Sequence, residues 1–272
     1  MIRPYTGRPA DSFNFAHILY RKADRVATVT FNRPEVLNAV NYPLLVELAE
    51  AFRDASFDDG LGVVVLTGAG ERAFCAGGDL KERDGMSDEA WRTQHELFER
   101  AAVALTECPI PVIAALNGTA YGGGLETALS CDFIYAVRGA RFALSEVRLG
   151  IIPGGGGTQN LPRAVGERRA KELILTARPF TAEEGHQWGL FNRLCEPGKV
   201  LAEALETAGA IADNAPLSVR QAKKSIHYGL QMDFSTAYRF EIEAYNRLVT
   251  TEDRLEGVRA FNQKRKPVFR GR

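Results

Sequence analysis

Segments with strand-like and helix-like hydrophobic patterns alternate along the first two thirds of the chain. Residues 26–31, VATVTF, alternate apolar side chains with threonines, a period of two that predicts a half-buried strand. Residues 42–57 repeat leucine, alanine and phenylalanine at helical spacing, and Asp58-Asp59-Gly60 ends that helix. Residues 63–66 are all apolar and predict a buried strand. This alternation is typical of an α/β fold.

From residue 197 onward the pattern changes to helices without strands. Apolar side chains recur there in two stripes, Val219, Ala222, Ile226 and Leu230 in the first and Tyr238, Ile242, Tyr245 and Val249 in the second. Stripes of this kind are typical of a core or of a contact between subunits. The chain then ends in a basic segment, which without further information is a solvated tail.

Composition is that of a soluble globular protein and excludes several functions. The 272 residues carry 34 basic and 34 acidic side chains, and this balance provides no overall field for nucleic acid or for a membrane surface. No apolar run approaches the ~20 residues that span a bilayer. Residues 1–16 lack the apolar core of a signal peptide, so we expect a cytoplasmic protein with a flexible or oligomer-packed N-terminal extension.

The cysteines and histidines predict neither a metal site nor a disulfide framework. No CxxC spacing occurs among Cys75, Cys108, Cys131 and Cys195, and no ligand spacing among His17, His95, His186 and His227. We therefore expect reduced thiols and no bound metal.

A glycine triplet between a predicted strand and a predicted helix is the first candidate for chemistry. Residues 111–116, PVIAAL, predict a buried strand, and Gly122, Gly123 and Gly124 precede apolar residues at helical spacing. The first amides of a helix lack internal partners, and glycine lets another group approach them closely. The arrangement suits an anion or an oxygen that becomes one during a reaction. A turn that serves only packing would have the same sequence.

Two isolated glutamates follow the triplet. Glu126 falls in the first turn of the predicted helix, where the helix dipole alone would favour a carboxylate. Glu146 lies between a predicted strand at residues 142–144 and the apolar segment 149–152, so its pKa should be raised. One ionised carboxylate beside one that retains its proton is the pattern of acid/base catalysis.

Two further glycine-rich segments are weaker signals. Phe74 to Asp79, FCAGGD, contains two glycines that would let a ligand touch the backbone, although such pairs most often mark turns. Residues 154–157, GGGG, match neither a phosphate-binding P-loop nor a dinucleotide fingerprint. We expect that run to let the chain pass close to the active site behind Glu146.

Taken together, these segments closely resemble the enoyl-CoA hydratase (crotonase) family. The resemblance rests on PVIAALNGTAYGGGLETALSCDFIYA and ALSEVRLGIIPGGGGTQNLPRAVG, and extends to RVATVTFNRPEVLNAVN, VVVLTGAGERAFCAGGDLKE, EEGHQWGLFNRL and the ending EGVRAFNQKRKPVFRGR. It covers nearly everything from Ile18 to Arg272. It implies a crotonase-like ββα spiral over residues 17–196 and a C-terminal helical trimerisation region over residues 197–272.

The resemblance also implies roles for particular residues. The backbone amides of Gly78 and Gly123 would hold the thioester oxygen, while Glu126 would act as base and Glu146 as acid. Residues expected to contact CoA are Ala76, Gly78, Asp79, Leu80, Lys81 and Gly123, with Phe261 and Lys264 reaching the CoA of a neighbouring subunit. Trimers, or hexamers built from them, are expected. No separate cofactor is implied, because CoA enters as part of the acyl-CoA substrate.

The region after this CoA loop is the least informative. Residues 81–87 are polar and are predicted to be mobile. The family shapes its acyl pocket with the residues that follow, but simple helix packing explains Met86, Trp91 and Phe98 at least as well.

The presence of both glutamates favours hydration of a trans-2-enoyl-CoA to a 3-hydroxyacyl-CoA. A specialised dehydratase remains open, since FALSEVRLGI and the C-terminal segment also resemble carnitinyl-CoA dehydratases. A double-bond isomerase is a further alternative. An inactive assembly or RNA-binding member is the most remote one, because RNA binding would require a basic surface beyond the tail.

Overall fold

The protein, described by a computed structural model over residues 7–272, is built on a larger and a smaller β-sheet. Within those residues the larger sheet has the order β1-β2-β3-β5-β7-β10, formed by Ile18–Ala23, Val26–Phe31, Val63–Gly68, Val112–Leu116, Phe133–Val137 and Arg193–Cys195. Its first pair is an antiparallel hairpin, and the other pairs are parallel. Asp24 and Arg25 form the hairpin turn with φ of 49° and 65°, the left-handed conformation that a two-residue turn requires.

The smaller sheet carries the candidate chemistry. Its described strands run in the order β4-β6-β8-β9, formed by Ala73–Cys75, Thr119–Tyr121, Arg141–Ala143 and Phe180–Thr181. The pairs β4-β6 and β6-β8 are parallel. Because parallel strands bring their carboxyl ends to one edge, the segments that follow β4, β6 and β8 lie together.

Helix α1 (Tyr42–Phe57) packs on one face of the larger sheet and α8 (Val200–Ala212) on the other. The other helices of the described residues are α2 (Leu80–Arg83), α3 (Asp88–Thr106), α4 (Gly123–Leu129), α5 (Gly157–Val165), α6 (Glu167–Thr176), α7 (Ala182–Gln187), α9 (Pro216–Gly229), α10 (Phe234–Val249) and α11 (Glu252–Asn262). Alternate residues of the fully buried β3 face opposite sides. Val64 and Leu66 join the core that includes α1, whereas Val63 and Val65 join the core beneath α8.

The elements predicted from periodicity are present. Helix α1 spans the predicted residues, and β3 continues past residue 66 because Thr67 donates to the carbonyl of Ala115 and the Gly68 amide donates to Asn117. The segment 81–87, predicted to be polar and mobile, begins with helical residues. Its first residues belong to α2, whose N-terminus is capped by the Asp79 carboxylate.

Residues 7–16 of the predicted extension pack against their own chain, whereas residues 1–6 lie outside the described part. The Arg8 amide donates to Asp54 of α1, and the rings of Phe13 and Phe15 stack 5.0 Å apart. Phe13 also meets Tyr20 of β1 edge to face. The described part of the extension is therefore a strap across β1 and α1. The domain boundaries at residues 16 and 196 stay a prediction.

The two C-terminal stripes do not form a core within one chain. Of the first stripe Ala222, Ile226 and Leu230 are exposed, as is every member of the second stripe. The core interpretation is therefore wrong for them, because within residues 7–272 no element covers this face, and the subunit contact stays a prediction. Over the same residues, none of the helices combines the length and apolarity needed to cross a bilayer.

Candidate active site

A cavity of about 740 Å³ opens where the segments after β4, β6 and β8 meet α3. Its walls include Gly78 and Gly123 on one side and Leu149 and Ile152 on another. Both Glu126 and Glu146 line it. The sequence-predicted acid, base and amide positions are thus brought together in one cavity.

The two predicted amide donors stand on loops that touch each other. A Cβ placed on Gly77, whose φ is +95°, would lie 2.8 Å from the Tyr121 carbonyl oxygen and 3.5 Å from the Gly123 nitrogen. Val40 holds the first loop from both sides, donating to the Gly77 carbonyl and accepting from the Asp79 amide, each at 2.8 Å. Within the described residues, the amides of Gly78 and Gly123 have no protein acceptor. Two amide donors are therefore available to a ligand oxygen in the cavity.

Glu126 is fixed by one of its two carboxylate oxygens. The side chain is 2% exposed, and Oε1 accepts from the amides of Gly155 and Gly157, each at 2.8 Å. Gly157 begins α5, so the carboxylate also faces the positive end of that helix. Among residues 7–272, Oε2 accepts from no donor. The carboxylate is held in place while one oxygen remains free to accept a proton from a ligand.

The pKa of Glu126 is raised because burial penalises the charged form. The amides of Gly157 and Gly155 oppose that effect, as does the nearby imidazole of His95. The expectation of one ionised and one protonated carboxyl group is therefore too simple, since burial acts on both. The difference lies in compensation: Glu126 has charge-stabilising donors.

Glu146 has less compensation, limited to its own backbone amide, which lowers its pKa against the effect of burial. It begins a 3-10 turn, Glu146–Leu149, directly after the segment that follows β8, and it is 8% exposed. Neither carboxylate oxygen has a hydrogen-bond partner among the described residues. Burial, with a smaller contribution from the charge of Glu126, raises the pKa of Glu146 to about 7. This carboxyl group is suited to keep and donate a proton near neutral pH, as predicted from its apolar neighbours.

Glycines allow both carboxyl groups to approach the backbone. A Cβ on Gly122, at φ +50°, would lie 3.1 Å from Oε1 of Glu146, and one on Gly157 would lie 2.9 Å from Oε1 of Glu126. The predicted role of the run at residues 154–157 needs correction. It does pass close to the site, but the amides of Gly155 and Gly157 donate to Glu126, so the run also positions that carboxylate and is not only backing for Glu146.

The predicted CoA-contacting residues divide into two groups. Ala76, Gly78 and Leu80 line the cavity, as does Gly123. Asp79 instead accepts from Arg33 at 3.1 Å and caps α2, while Lys81 is exposed beside it.

Phe261 and Lys264, at the end of α11, do not line the cavity of their own chain. Phe261 is 83% exposed. Their assignment to a neighbouring subunit's CoA stays a prediction.

Helix α3 contributes cavity residues that the sequence analysis missed. Trp91, His95 and Phe98 line the cavity, whereas Met86 lies outside it. Simple helix packing is therefore an incomplete explanation: Phe98 packs against the core as expected, and both Trp91 and Phe98 also line the cavity. Their spacing of i, i+4 and i+7 with His95 puts all three on one helix face, a signal that was available. The Phe98 ring would lie 3.0 Å from a Cβ on Gly123, so it forms a wall of the amide site.

Comparison with known proteins agrees with the fold. The family model described as enoyl-CoA hydratase/isomerase matches residues 21–272. A short-chain-enoyl-CoA hydratase of Clostridium acetobutylicum is 42% identical over 92% of this chain and 96% of its own length. A crotonyl-CoA hydratase of Syntrophomonas wolfei is 37% identical over 94% of this chain and 98% of its own.

A solved structure shows the same fold. The crystal structure of an enoyl-CoA hydratase from Bacillus anthracis superposes with a TM-score of 0.93, at 42% identity, over 94% of this chain and 100% of that one. The fold and site define an α/β protein of the crotonase type. The chain belongs to the enoyl-CoA hydratase/isomerase family.

Proposed function

We propose that this protein adds water across the 2,3-double bond of a trans-2-enoyl-CoA to give a 3-hydroxyacyl-CoA. The observation that carries the proposal is the pairing of two buried glutamates with opposite hydrogen-bonding, next to two unoccupied backbone donors. The relatives named as hydratases support it.

The proposed reaction assigns each group one task. Glu126, through its free oxygen, accepts a proton from water as the water oxygen bonds to C3 of the substrate. The electrons of the double bond move toward the thioester oxygen, which the Gly78 and Gly123 amides stabilise as it becomes an enolate oxygen. Glu146 then delivers its proton to C2. Dehydration follows the same steps in reverse.

The amide of Gly122 donates to the Ala143 carbonyl at 2.9 Å, which ties the triplet to β8, while the next amide, that of Gly123, has no acceptor among the described residues. Gly124 lies against the chain behind it, where a Cβ would come within 2.2 Å of the Cys75 carbonyl oxygen. We propose that this close contact between the segments after β4 and β6 sets the spacing of the two amide donors.

Loss of the enoyl-thioester absorbance of crotonyl-CoA tests this function. We expect Glu126→Gln and Glu146→Gln each to lower kcat by about 10²- to 10⁴-fold, the usual contribution of a general acid or base. Glu99→Gln is the matched control, because Glu99 lines the same cavity but is exposed and paired with His95. Its kcat should stay within about twofold of wild type.

Binding of acetyl-CoA, measured by calorimetry, should survive in both active-site variants. Tight acetyl-CoA binding by a wild type that does not hydrate crotonyl-CoA would contradict the proposal. Turnover of a 3-enoyl-CoA or of carnitinyl-CoA instead would favour an isomerase or a specialised dehydratase.

A further inference from the structure

A half-buried arginine lies in the cavity beside one of the proposed oxyanion donors. Arg83, the last residue of α2, lines the cavity, and a Cβ on Gly78 would lie 3.1 Å from its Cζ and 3.2 Å from its Nη1. The guanidinium stacks over the ring of Trp91, with Cζ 4.6 Å from the ring centroid. Neither the fold nor the proposed hydration chemistry assigns this charge a task.

Neighbouring side chains fix the guanidinium without neutralising it. Its Nε donates to Oε1 of the buried Gln94 at 2.8 Å, and the Gln94 amide nitrogen donates to Glu82 at 2.5 Å. Glu82 is also bonded to the Tyr42 amide. The order Glu82–Gln94–Arg83 settles which end of the Gln94 amide faces the arginine. One guanidinium nitrogen is thereby used for positioning, and both Nη groups keep their donors.

The charge of Arg83 has no ion-pair partner within residues 7–272. It forms no salt bridge with any described carboxylate. Among the described charged groups, only Glu82, its chain neighbour, raises the pKa of Arg83. Burial lowers its pKa, which shows that the environment penalises the charge. Arg83 is not among the groups that shift the pKa of Glu126 or of Glu146. An uncompensated guanidinium in a cavity with apolar walls is costly unless a ligand anion completes it.

We propose that Arg83 recognises a carboxylate on the acyl group, so that the preferred substrates are enoyl-CoA thioesters of short dicarboxylic acids. The inference rests on the proposed hydratase function and specifies its substrate class. A planar guanidinium with two free Nη groups matches the two oxygens of a carboxylate in a bidentate pair. The Trp91 ring fixes the orientation of the guanidinium plane by stacking on it. Such stacking favours arginine over lysine.

The acyl group, and not the CoA moiety, is the source of the anion. Arg83 shares its cavity with Glu126, Glu146 and the apolar side chains Leu149 and Ile152. That space adjoins the reacting double bond. The phosphates of CoA are strongly hydrated and would be placed among exposed cations such as Lys81.

Binding of saturated acyl-CoAs tests the inference without any turnover. Glutaryl-CoA and pentanoyl-CoA have the same chain length and differ in the terminal carboxylate, and adipyl-CoA and hexanoyl-CoA form a second pair. For wild type we expect at least one diacid member to bind about 10- to 100-fold more tightly than its neutral counterpart, the effect of a charged hydrogen bond. Hydration of glutaconyl-CoA should exceed that of pent-2-enoyl-CoA in kcat/KM by a similar factor.

Substitutions at Arg83 locate the effect. Arg83→Met should abolish the preference, lowering kcat/KM for glutaconyl-CoA at least about tenfold more than kcat/KM for crotonyl-CoA, and Arg83→Lys should retain part of the preference as a point charge. Arg92→Met is the matched control, because Arg92 lines the same cavity but is exposed to solvent. It should keep the preference. Arg83→Gln, which preserves a donor and much of the length, replaces Arg83→Met if the latter does not fold.

The outcomes separate this inference from the proposed function. Equal binding of the diacid and neutral members of both pairs by wild type would overturn the inference, even if crotonyl-CoA is hydrated rapidly. An equal loss of affinity for free CoA and for every acyl-CoA in Arg83→Met would also overturn it, because it would place the anion on CoA. A diacid preference without hydration of any enoyl-CoA would uphold acyl recognition and reject the hydratase.

Discussion

At the scale of single residues, the two glutamates differ in what surrounds them. Glu126 accepts two amides on one oxygen, whereas both oxygens of Glu146 lack partners in the described chain. Both are buried, and burial alone would make them similar. The separation of their roles therefore comes from the glycine run at residues 154–157 and not from either glutamate's own strand or helix.

This difference predicts how hydration depends on pH. Glu146 must carry its proton, and its pKa of about 7 means that kcat/KM for crotonyl-CoA should fall about tenfold per pH unit above that value. A profile measured from pH 5.5 to 9 checks this. A rate that stays flat to pH 9 would show that Glu146 is not the acid.

The same pKa affects stability with a defined sign. The pKa of Glu146 is raised in the folded protein above its ordinary value of 4.5, so the folded state binds the proton more tightly than the unfolded state. The resulting stabilisation is complete below about pH 4.5 and is lost as pH rises toward 7. In urea unfolding, Glu146→Gln should therefore gain stability relative to wild type between pH 5 and pH 8.

At the scale of elements, the start of α5 positions Glu126, the proposed base. A methyl group on Gly157 would lie 2.9 Å from Oε1 of Glu126 and 2.9 Å from Cδ1 of Leu144, so one of them must move. We expect Gly157→Ala to lower kcat for crotonyl-CoA by about 10- to 100-fold, because small displacements of a catalytic group are costly. Steady-state kinetics measures the change in kcat, and a thermal melt measures any change in stability.

Gly209→Ala is the matched control for that substitution. Gly209 lies in α8, and a Cβ there would meet nothing within 4 Å. Its kcat should be unchanged, and its stability should rise by up to about 1 kcal/mol, the helix preference for alanine. Unchanged kcat in Gly157→Ala would show that α5 does not hold the base in place.

Local periodicity predicts elements well and predicts their mutual contacts poorly. The α1 helix and strands β2, β3 and β5 follow from apolar spacing because burial is regular along each element, on one face of α1 and β2 and on both faces of β3 and β5. The bonds from residues 155 and 157 to Glu126 join positions about thirty residues apart, and no local pattern encodes them. Arg83 was missed because a lone arginine in a polar segment has the sequence of a surface residue.

The family resemblance supplied what spacing could not, but only within limits. It named Gly78, Gly123 and the two glutamates, and the structure places all four around one cavity. It also named Asp79, whose carboxylate is engaged by Arg33 and by the start of α2. The Asp79 side chain thus already has partners within the chain, and its contact with CoA stays a prediction.

At the scale of the whole molecule, the C-terminal helices present an uncovered apolar face. Ile226 of α9 and Leu230 directly after it are 65% and 85% exposed, and Phe234 and Tyr245 of α10 are 85% and 65% exposed. Exposed apolar groups at this density are typical of a surface that another chain covers. We expect wild type to sediment as a multiple of the 29.9 kDa chain, with a trimer or hexamer as the predicted state.

The double substitution Ile226→Glu/Leu230→Glu should shift that protein toward the monomer, because burying two carboxylates in an apolar contact is unfavourable. Leu175→Glu is the control, since Leu175 of α6 is 72% exposed and lies outside the C-terminal helices. Sedimentation velocity measures the oligomeric state of wild type, of the double variant and of Leu175→Glu. A monomeric wild type at micromolar concentration would contradict the predicted assembly.

The cavity is lined by residues that fall between Val40 and Gly154, a stretch shorter than half of the chain. The remaining sequence supplies the outer strands, the helices beyond α5 and the apolar C-terminal face. This separation has a consequence for descent: a lineage can acquire a new acyl preference through changes confined to α2 and α3 while inheriting its assembly surface unaltered. In this molecule the residues proposed to set acyl preference and those expected to set assembly are encoded in different parts of one gene.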